Sequence, residues 1–327
     1  MKESADNKAL QECEPQPRHR RWLLICMLFL MLVAVFSLSL LGYSQRIAAT
    51  NAAPTPIPTE TLAFSAGNHD FTGLTIWFLD IGQGDCAFLR SPNGKTMLID
   101  AGPAGSFPVI QRFLEAQQIT RLDIVICSHL HADHIGSMTE ILDAYQIGAL
   151  YLPPFDIESS TYANLVEAVE RNHVLAKPIY ASATSTLDWD ETTEVRVLSP
   201  YEVHYDDEND TSLMLRIRYG NTAALFVGDA GLVAERLAIK ALPNHYFTAN
   251  VLKVGHHGSA SATGKKFLST VKPSIAVISV GKDNSYNLPD ASILKRLKQT
   301  GIKTLRTDEL GTICISLDGN RAWVIES

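Results

Sequence analysis

Residues 128–136 read Ser128-His129-Leu130-His131-Ala132-Asp133-His134-Ile135-Gly136, directly after the apolar run Leu122-Asp123-Ile124-Val125-Ile126-Cys127. Three histidines and one aspartate within six residues, at the end of a β-branched strand, are placed to hold two metal ions. Side chains alternate along an extended segment, so His129 and His131 share a side and can grip the first ion. Asp133 and His134 stand at the turn into the next helix and can grip the second. Imidazole suits zinc, and an added carboxylate also admits manganese or iron. The alternative is a polar turn that happens to be histidine-rich. Four ligand-type residues at this spacing favour metal-dependent hydrolysis over it.

Further candidate ligands also follow strand ends. Asp100 follows Met97-Leu98-Ile99, Asp229 follows Phe226-Val227-Gly228, and His256 and His257 follow Lys253-Val254-Gly255. Strand ends on one rim of a sheet hold convergent side chains rigidly.

Around this centre the chain alternates strand and helix signals. Leu74–Leu79, Cys86–Leu89 and Thr96–Asp100 open a meander, with Pro92-Asn93-Gly94 as a turn. Helical spacing covers 107–118, 138–145 and 162–172. The second half repeats the theme with strands at 195–198, 212–218, 223–229, 251–254 and 275–280, helices at 232–241, 265–271 and 291–300, and a final strand pair. Two strand-rich halves flanked by helices predict a four-layered αββα sandwich with the site where the halves meet.

The 327 residues are 46% hydrophobic and 19% charged, ordinary for a globular protein, and the net charge is −7. That excludes a global basic field for gathering nucleic acid, so a polyanion would be drawn locally, by the ions and a few lysines. Arg216, Arg218, Lys265, Lys266, Lys295, Arg296 and Lys298 read as solvated helix and strand faces rather than a nucleic-acid surface.

One segment is not globular. Trp22 to Tyr43 carries no charge, and its 22 residues would span roughly 33 Å as a helix, enough to cross a bilayer. Arg18, Arg20 and Arg21 precede it and Arg46 alone lies close behind, which puts the N-terminus in the cytoplasm and the rest outside. The reading is a cytoplasmic tail (1–21), one transmembrane helix (22–43), a Pro-rich linker (44–63) and a hydrolase domain (64–327), anchored in the cell membrane. A cleaved signal peptide is the competing reading, with small residues at Ala48, Ala49, Ala52 and Ala53. Of the five cysteines, Cys13 and Cys26 fall in the tail and span, while Cys86, Cys127 and Cys314 sit in apolar runs as buried hydrophobes.

The whole pattern resembles the metallo-β-lactamase fold superfamily, and within it the hydrolase-like domain of ComEC-type competence proteins. The stretches that carry it are FLDIGQGDC (78–86), TMLIDAG (96–102), SHLHADHIGS (128–137), NDTSLMLRIRYG (209–220), VGDA (227–230), LKVGHHGSASAT (252–263), AVISVGKDNSY (276–286) and RTDELGTI (306–313).

The resemblance implies two divalent ions, zinc first and manganese as the alternative. His129 and His131 would be ligands of the first ion, and Asp133 and His134 of the second. Asp229 would bridge both. One of His256 and His257, with the lean toward His257, would complete the second site. Asp100 would orient the histidine loop from behind, and Asp85 would face the site. Asp133 or Asp229 would receive a proton, while Lys253 and Ser259 lie where they could bind substrate oxygens. Lys253 reads equally as a solvated strand-edge charge.

Two departures stand out. Many dinuclear members carry a histidine in the loop before Asp229. Here that loop is Glu208-Asn209-Asp210-Thr211-Ser212, leaving Asn209, Asp210 or water to fill in. Leu288 stands where the competence branch usually has a histidine. The implied activity is a phosphodiesterase or nuclease related to DNA uptake, working with a separate competence or envelope protein. The alternatives are an envelope phosphodiester, ester or lactone hydrolase, or a non-catalytic binding module.

Overall fold

Leu74, Ile76 and Phe78 point to one side of the first strand and Trp77 to the other, and that period-2 alternation sets the architecture. The computed structural model describes residues 73–325. The tail, span and linker read from residues 1–63, with Cys13 and Cys26, lie outside the described residues. Among the described residues no helix is long and apolar enough to cross a membrane.

The strands are β1 (Leu74–Phe78), β2 (Ala87–Arg90), β3 (Thr96–Ile99), β4 (Arg121–Ile126), β5 (Gln146–Leu152), β6 (Ala176–Pro178), β7 (Thr186–Asp190), β8 (Thr193–Ser199), β9 (Met214–Tyr219), β10 (Thr222–Phe226), β11 (Val251–Lys253), β12 (Ile275–Ile278), β13 (Lys303–Arg306), β14 (Ile313–Leu317) and β15 (Ala322–Ile325). Among the described residues they form two sheets, ordered β15-β14-β1-β2-β3-β4-β5-β6 and β13-β12-β11-β10-β9-β8-β7. The sequence pattern does not announce β5, β6 or β7.

The apolar side chains divide into three clusters, which define the layers. One lies between the sheets and joins Leu74, Ile76 and Phe78 to Val195, Leu215 and Phe226. Phe78 and Phe226 stack there with ring centroids 5.6 Å apart. Burying such a ring contributes about 1.5–3 kcal/mol. The second cluster packs Trp77, Phe88 and Val125 under the helices Phe107–Ala116, Met138–Ala144 and Ser160–Arg171. The third packs Leu225, Leu252 and Ile278 under Leu232–Ala241, Lys265–Val271 and Ala291–Gln299. Helix, sheet, sheet, helix is the layering the sequence predicts. Cys86, Cys127 and Cys314 are free and buried.

Strand direction then places the site. β3 and β4 run parallel, as do β10, β11 and β12, so each group delivers its carboxyl ends to one rim. The rims meet where the Leu213 N–H donates to the Ser128 carbonyl across 2.7 Å.

Helix ends are set locally. The Ser159 side chain accepts from the Tyr162 N–H at 3.1 Å and caps Ser160–Arg171. Ser159→Ala is therefore expected to cost about 1 kcal/mol, read as a lower urea midpoint at unchanged m-value.

Candidate metal centre

β4 ends at Ile126, and Asp100 at the end of β3 grips the loop that leaves it. Its Oδ1 accepts the Ser128 N–H and its Oδ2 the Ser128 hydroxyl, each at 2.6 Å. His134 Nδ1 donates to the same Oδ2 at 2.9 Å. A neutral imidazole that donates from Nδ1 presents the Nε2 lone pair on its far side. Asp100 therefore aims His134 inward while pinning the loop that carries it. Ser128 Oγ also lies 3.3 Å from His129 Nδ1 and is placed to accept from it, which turns His129 Nε2 the same way.

His256 and His257 sit in a tight turn after β11 with φ of 48° and 50°, the left-handed region, and Asp100 has φ 61°. Non-glycine residues adopt it at a cost of about 1–2 kcal/mol each, held here by their surroundings. The turn sends the two rings to different places. His257 is buried, donates from Nδ1 to the Ser279 carbonyl at 2.9 Å, and turns Nε2 toward Asp133 and Asp229. His256 is partly exposed, with Nε2 3.7 Å from Asp229 Oδ2 and Nδ1 3.3 Å from Ser261 Oγ.

The inward atoms converge. Ligand atoms of Asp133, His134, Asp229 and His257 all lie within 4.8 Å of one another. His134 Nε2 is 3.3 Å from Asp229 Oδ1, and His257 Nε2 is 3.3 Å from Asp133 Oδ2 and 3.4 Å from Asp229 Oδ2. Nitrogen and oxygen ligands at roughly 2.0–2.2 Å around a tetrahedral ion sit about 3.3–3.5 Å apart, the same spacing. Yet His129 Nε2, His134 Nε2, His257 Nε2 and Asp229 Oδ1 are buried without a hydrogen-bond partner. Buried polar atoms are nearly always satisfied, so the three of these that face one point, His134 Nε2, His257 Nε2 and Asp229 Oδ1, fit a divalent cation.

Electrostatics agree. Burial alone would lower the His134 imidazole, but the Asp229 and Asp100 carboxylates hold it well above its usual range. Burial would raise the Asp229 carboxyl, yet His257 and His134 hold it far below. Asp133 follows the same pattern, depressed by its histidine neighbours against the pull of burial. These carboxylates reward positive charge at their centre, whether it comes as protons or as metal.

The other expected residues are more scattered. His129 reaches Asp229 Oδ2 only at 4.0 Å, and His131 faces outward with Nε2 3.0 Å from Glu208 Oε2. Nothing in the sequence marks Glu208 for that contact. Asp210 turns away and caps the helix Leu232–Ala241, accepting from Gly231 and Ala234 N–H. Asn209 keeps a buried Oδ1 without a partner. Ser259 pairs with Ser261 at 2.9 Å.

Lys253 is a correction. It does not reach the mouth as a substrate contact, nor is it a solvated edge charge. It is 3% exposed, with Nζ 2.7 Å from Asp85 Oδ2. Asp85 is buried too, and burial would raise its carboxyl, but Lys253 and His257 hold it down at about 2. Its Oδ1 lies 3.3 Å from His257 Nδ1. The pair thus sits behind His257 and positions it. Gly84, with φ 144°, brings Asp85 there, because a Cβ at that position would stand 2.3 Å from the Asp133 carbonyl oxygen.

Comparison with known proteins matches the same elements. Residues 79–282 match the metallo-beta-lactamase superfamily. The chain is 31% identical over 252 residues to ComE operon protein 3 of Bacillus subtilis, covering 72% of this chain and 32% of that protein. It is 29% identical over 245 residues to Competence protein ComA of Neisseria gonorrhoeae, covering 75% of this chain and 32% of that protein. The chain spans about a third of the length of both relatives. Among solved structures, a CmlA beta-hydroxylase variant shares the fold with a TM-score of 0.51 at 17% identity, over 75% of this chain and 54% of that one. Layering, strand-end ligands and the matched span together make this chain a member of the metallo-beta-lactamase superfamily.

Proposed function

We propose that this chain is a dinuclear, metal-dependent phosphodiesterase acting outside the cell membrane, with DNA during uptake as the favoured substrate. The observation that carries the hydrolase reading is the convergence of Asp133, His134, Asp229 and His257 on one point, with partnerless Nε2 atoms around it. The competence name of one relative favours DNA, and the Arg18, Arg20 and Arg21 cluster before residues 22–43 favours an outward-facing anchor. A separate competence or envelope protein would be the partner.

The second ion, zinc or manganese, would be held by Asp133, His134, His257 and Asp229, and the first by His129, His131 and Asp229. Bound divalent ions make a neighbouring water acidic enough to attack at neutral pH and neutralise charge on a phosphoryl oxygen. The chain's own groups supply the rest. Of the two carboxylates on the second ion, Asp133 is the one that reaches solvent, its side chain 36% exposed, so it is placed to take a proton from the attacking water. His256, at the mouth and steadied by Ser261, is placed to give one to the leaving oxygen. Asp100, Asp85 and Lys253 move no protons and hold the rings in register.

The test is to purify the full-length chain with detergent, measure bound metal, and assay bis-p-nitrophenyl phosphate and linear DNA with zinc or manganese. A variant combining Asp133→Ala and His134→Ala serves as control. Cleavage that vanishes in the control establishes the activity. Bound metal without turnover of either substrate would redirect the site to esters or lactones, and absence of metal would end the catalytic reading.

A further inference from the structure

We infer that Glu208 is a protein ligand of the first ion, completing a set with His129, His131 and Asp229. The inference rests on the dinuclear reading above and adds a residue to it.

The second ion's donors form a closed group, while the first ion's side is short of one. His129 is fully buried, and its Nε2 has no hydrogen-bond partner and points to the Asp229 side, 4.0 Å from Oδ2. The His131 ring packs against it with centroids 4.7 Å apart. Against His131 stands the turn Glu208–Thr211. Its position is fixed, because the Leu213 N–H donates to the Ser128 carbonyl and the Asp229 N–H donates to the Ser212 hydroxyl.

Within that turn the two aspartates are already committed, and Asn209 keeps a buried, partnerless Oδ1 that no contact among the described residues places within reach of either histidine. Asp207 accepts from the Asn209 N–H and caps the turn, and Asp210 caps the helix that begins at Leu232. Glu208 remains, with Oε2 3.0 Å from His131 Nε2, the atom that His131 would give to a metal. A carboxylate oxygen and an imidazole nitrogen at that separation can share one ion. Two imidazoles with two carboxylates make a donor set suited to zinc and equally open to manganese. The set also balances charge, since a dication meets one full carboxylate and a share of the bridging one.

The experiment titrates cobalt(II) into full-length chain stripped of metal, following the visible absorption bands, with zinc stoichiometry by elemental analysis. Wild type is expected to bind two equivalents. Glu208→Gln should keep the second site and weaken one equivalent by at least about tenfold. Glu208→His should restore two, because histidine supplies a donor where glutamine does not. The equivalent retained in Glu208→Gln reports that the variant is folded. Two equivalents at wild-type affinity in Glu208→Gln would overturn the inference and leave Glu208 a surface partner of His131. A single equivalent in wild type, lost in Asp133→Ala, would overturn it while leaving a mononuclear hydrolase. No binding in wild type would remove the dinuclear reading as well.

Discussion

Asp229→Ala is expected to lower phosphodiester cleavage by about 1,000-fold or more, about 4 kcal/mol of transition-state stabilisation, and to abolish tight binding of both ions. Asp229 is 2% exposed, and its two oxygens face four histidines. Oδ1 faces His134 at 3.3 Å, while Oδ2 faces His257 at 3.4 Å, His256 at 3.7 Å and His129 at 4.0 Å. Alanine would leave four imidazoles around a hole and remove the one carboxylate that faces all of them, with only Asp133 left to balance a cation. Asp229→Asn separates charge from shape. It keeps the volume and the backbone bond to Ser212, so the fold should persist, yet it should fall within about tenfold of alanine because charge is the larger contribution. Activity is read with bis-p-nitrophenyl phosphate at saturating zinc or manganese, beside a circular dichroism spectrum. An alanine variant that keeps both ions and a tenth of the wild-type rate would refute the bridging role.

Why so much of this centre is visible in the sequence is a matter of geometry. Each candidate ligand visible there stands one to eight residues past the end of a buried strand, and parallel strands carry their carboxyl ends to a common rim. Asp100, the 129–134 loop, Asp229 and the histidine pair can thus be read as one site although they are spread over more than 150 positions. The hidden parts depend on contacts between distant segments. The strand β5 contains Gly148, where a Cβ would stand 2.4 Å from the Asp123 carbonyl, and no alternation marks it. Lys253 looks like an edge charge because its partner Asp85 is far away in sequence. Glu208 lies in Asp206-Asp207-Glu208-Asn209-Asp210, which reads as a solvated acidic loop. Only folding shows that Asp207 and Asp210 are spent on caps and that Glu208 meets His131. The two adjacent histidines are inseparable in sequence for a similar reason, since their left-handed backbone, not their residue type, decides which ring enters.

Glu235 offers the second large effect, away from the metal centre. Glu235 lies on the helix Leu232–Ala241 and is 3% exposed. Its Oε2 accepts from the Gly264 N–H at 2.9 Å, and its Oε1 is buried without a partner. Burial pushes the carboxyl up from an ordinary 4.5 to about 7, against the backbone donors and Arg296, which lower it. Proton counts give the sign. Between those two values the unfolded chain has lost the proton and the folded chain has kept it, so stability falls as pH rises through the interval. The loss is complete only above the folded value. At roughly 1.4 kcal/mol per pH unit it amounts to about 3 kcal/mol. Glu235→Gln cannot ionise and should lack this component. Urea unfolding of both proteins at pH 4.5 and 8 isolates it, since protonation of the metal centre is common to the two and cancels in the comparison. Wild type should lose about 2–3 kcal/mol more than the variant between these values. Equal losses would mean that Glu235 ionises as readily in the folded chain as in the unfolded one, and that the partnerless Oε1 finds water the geometry denies it.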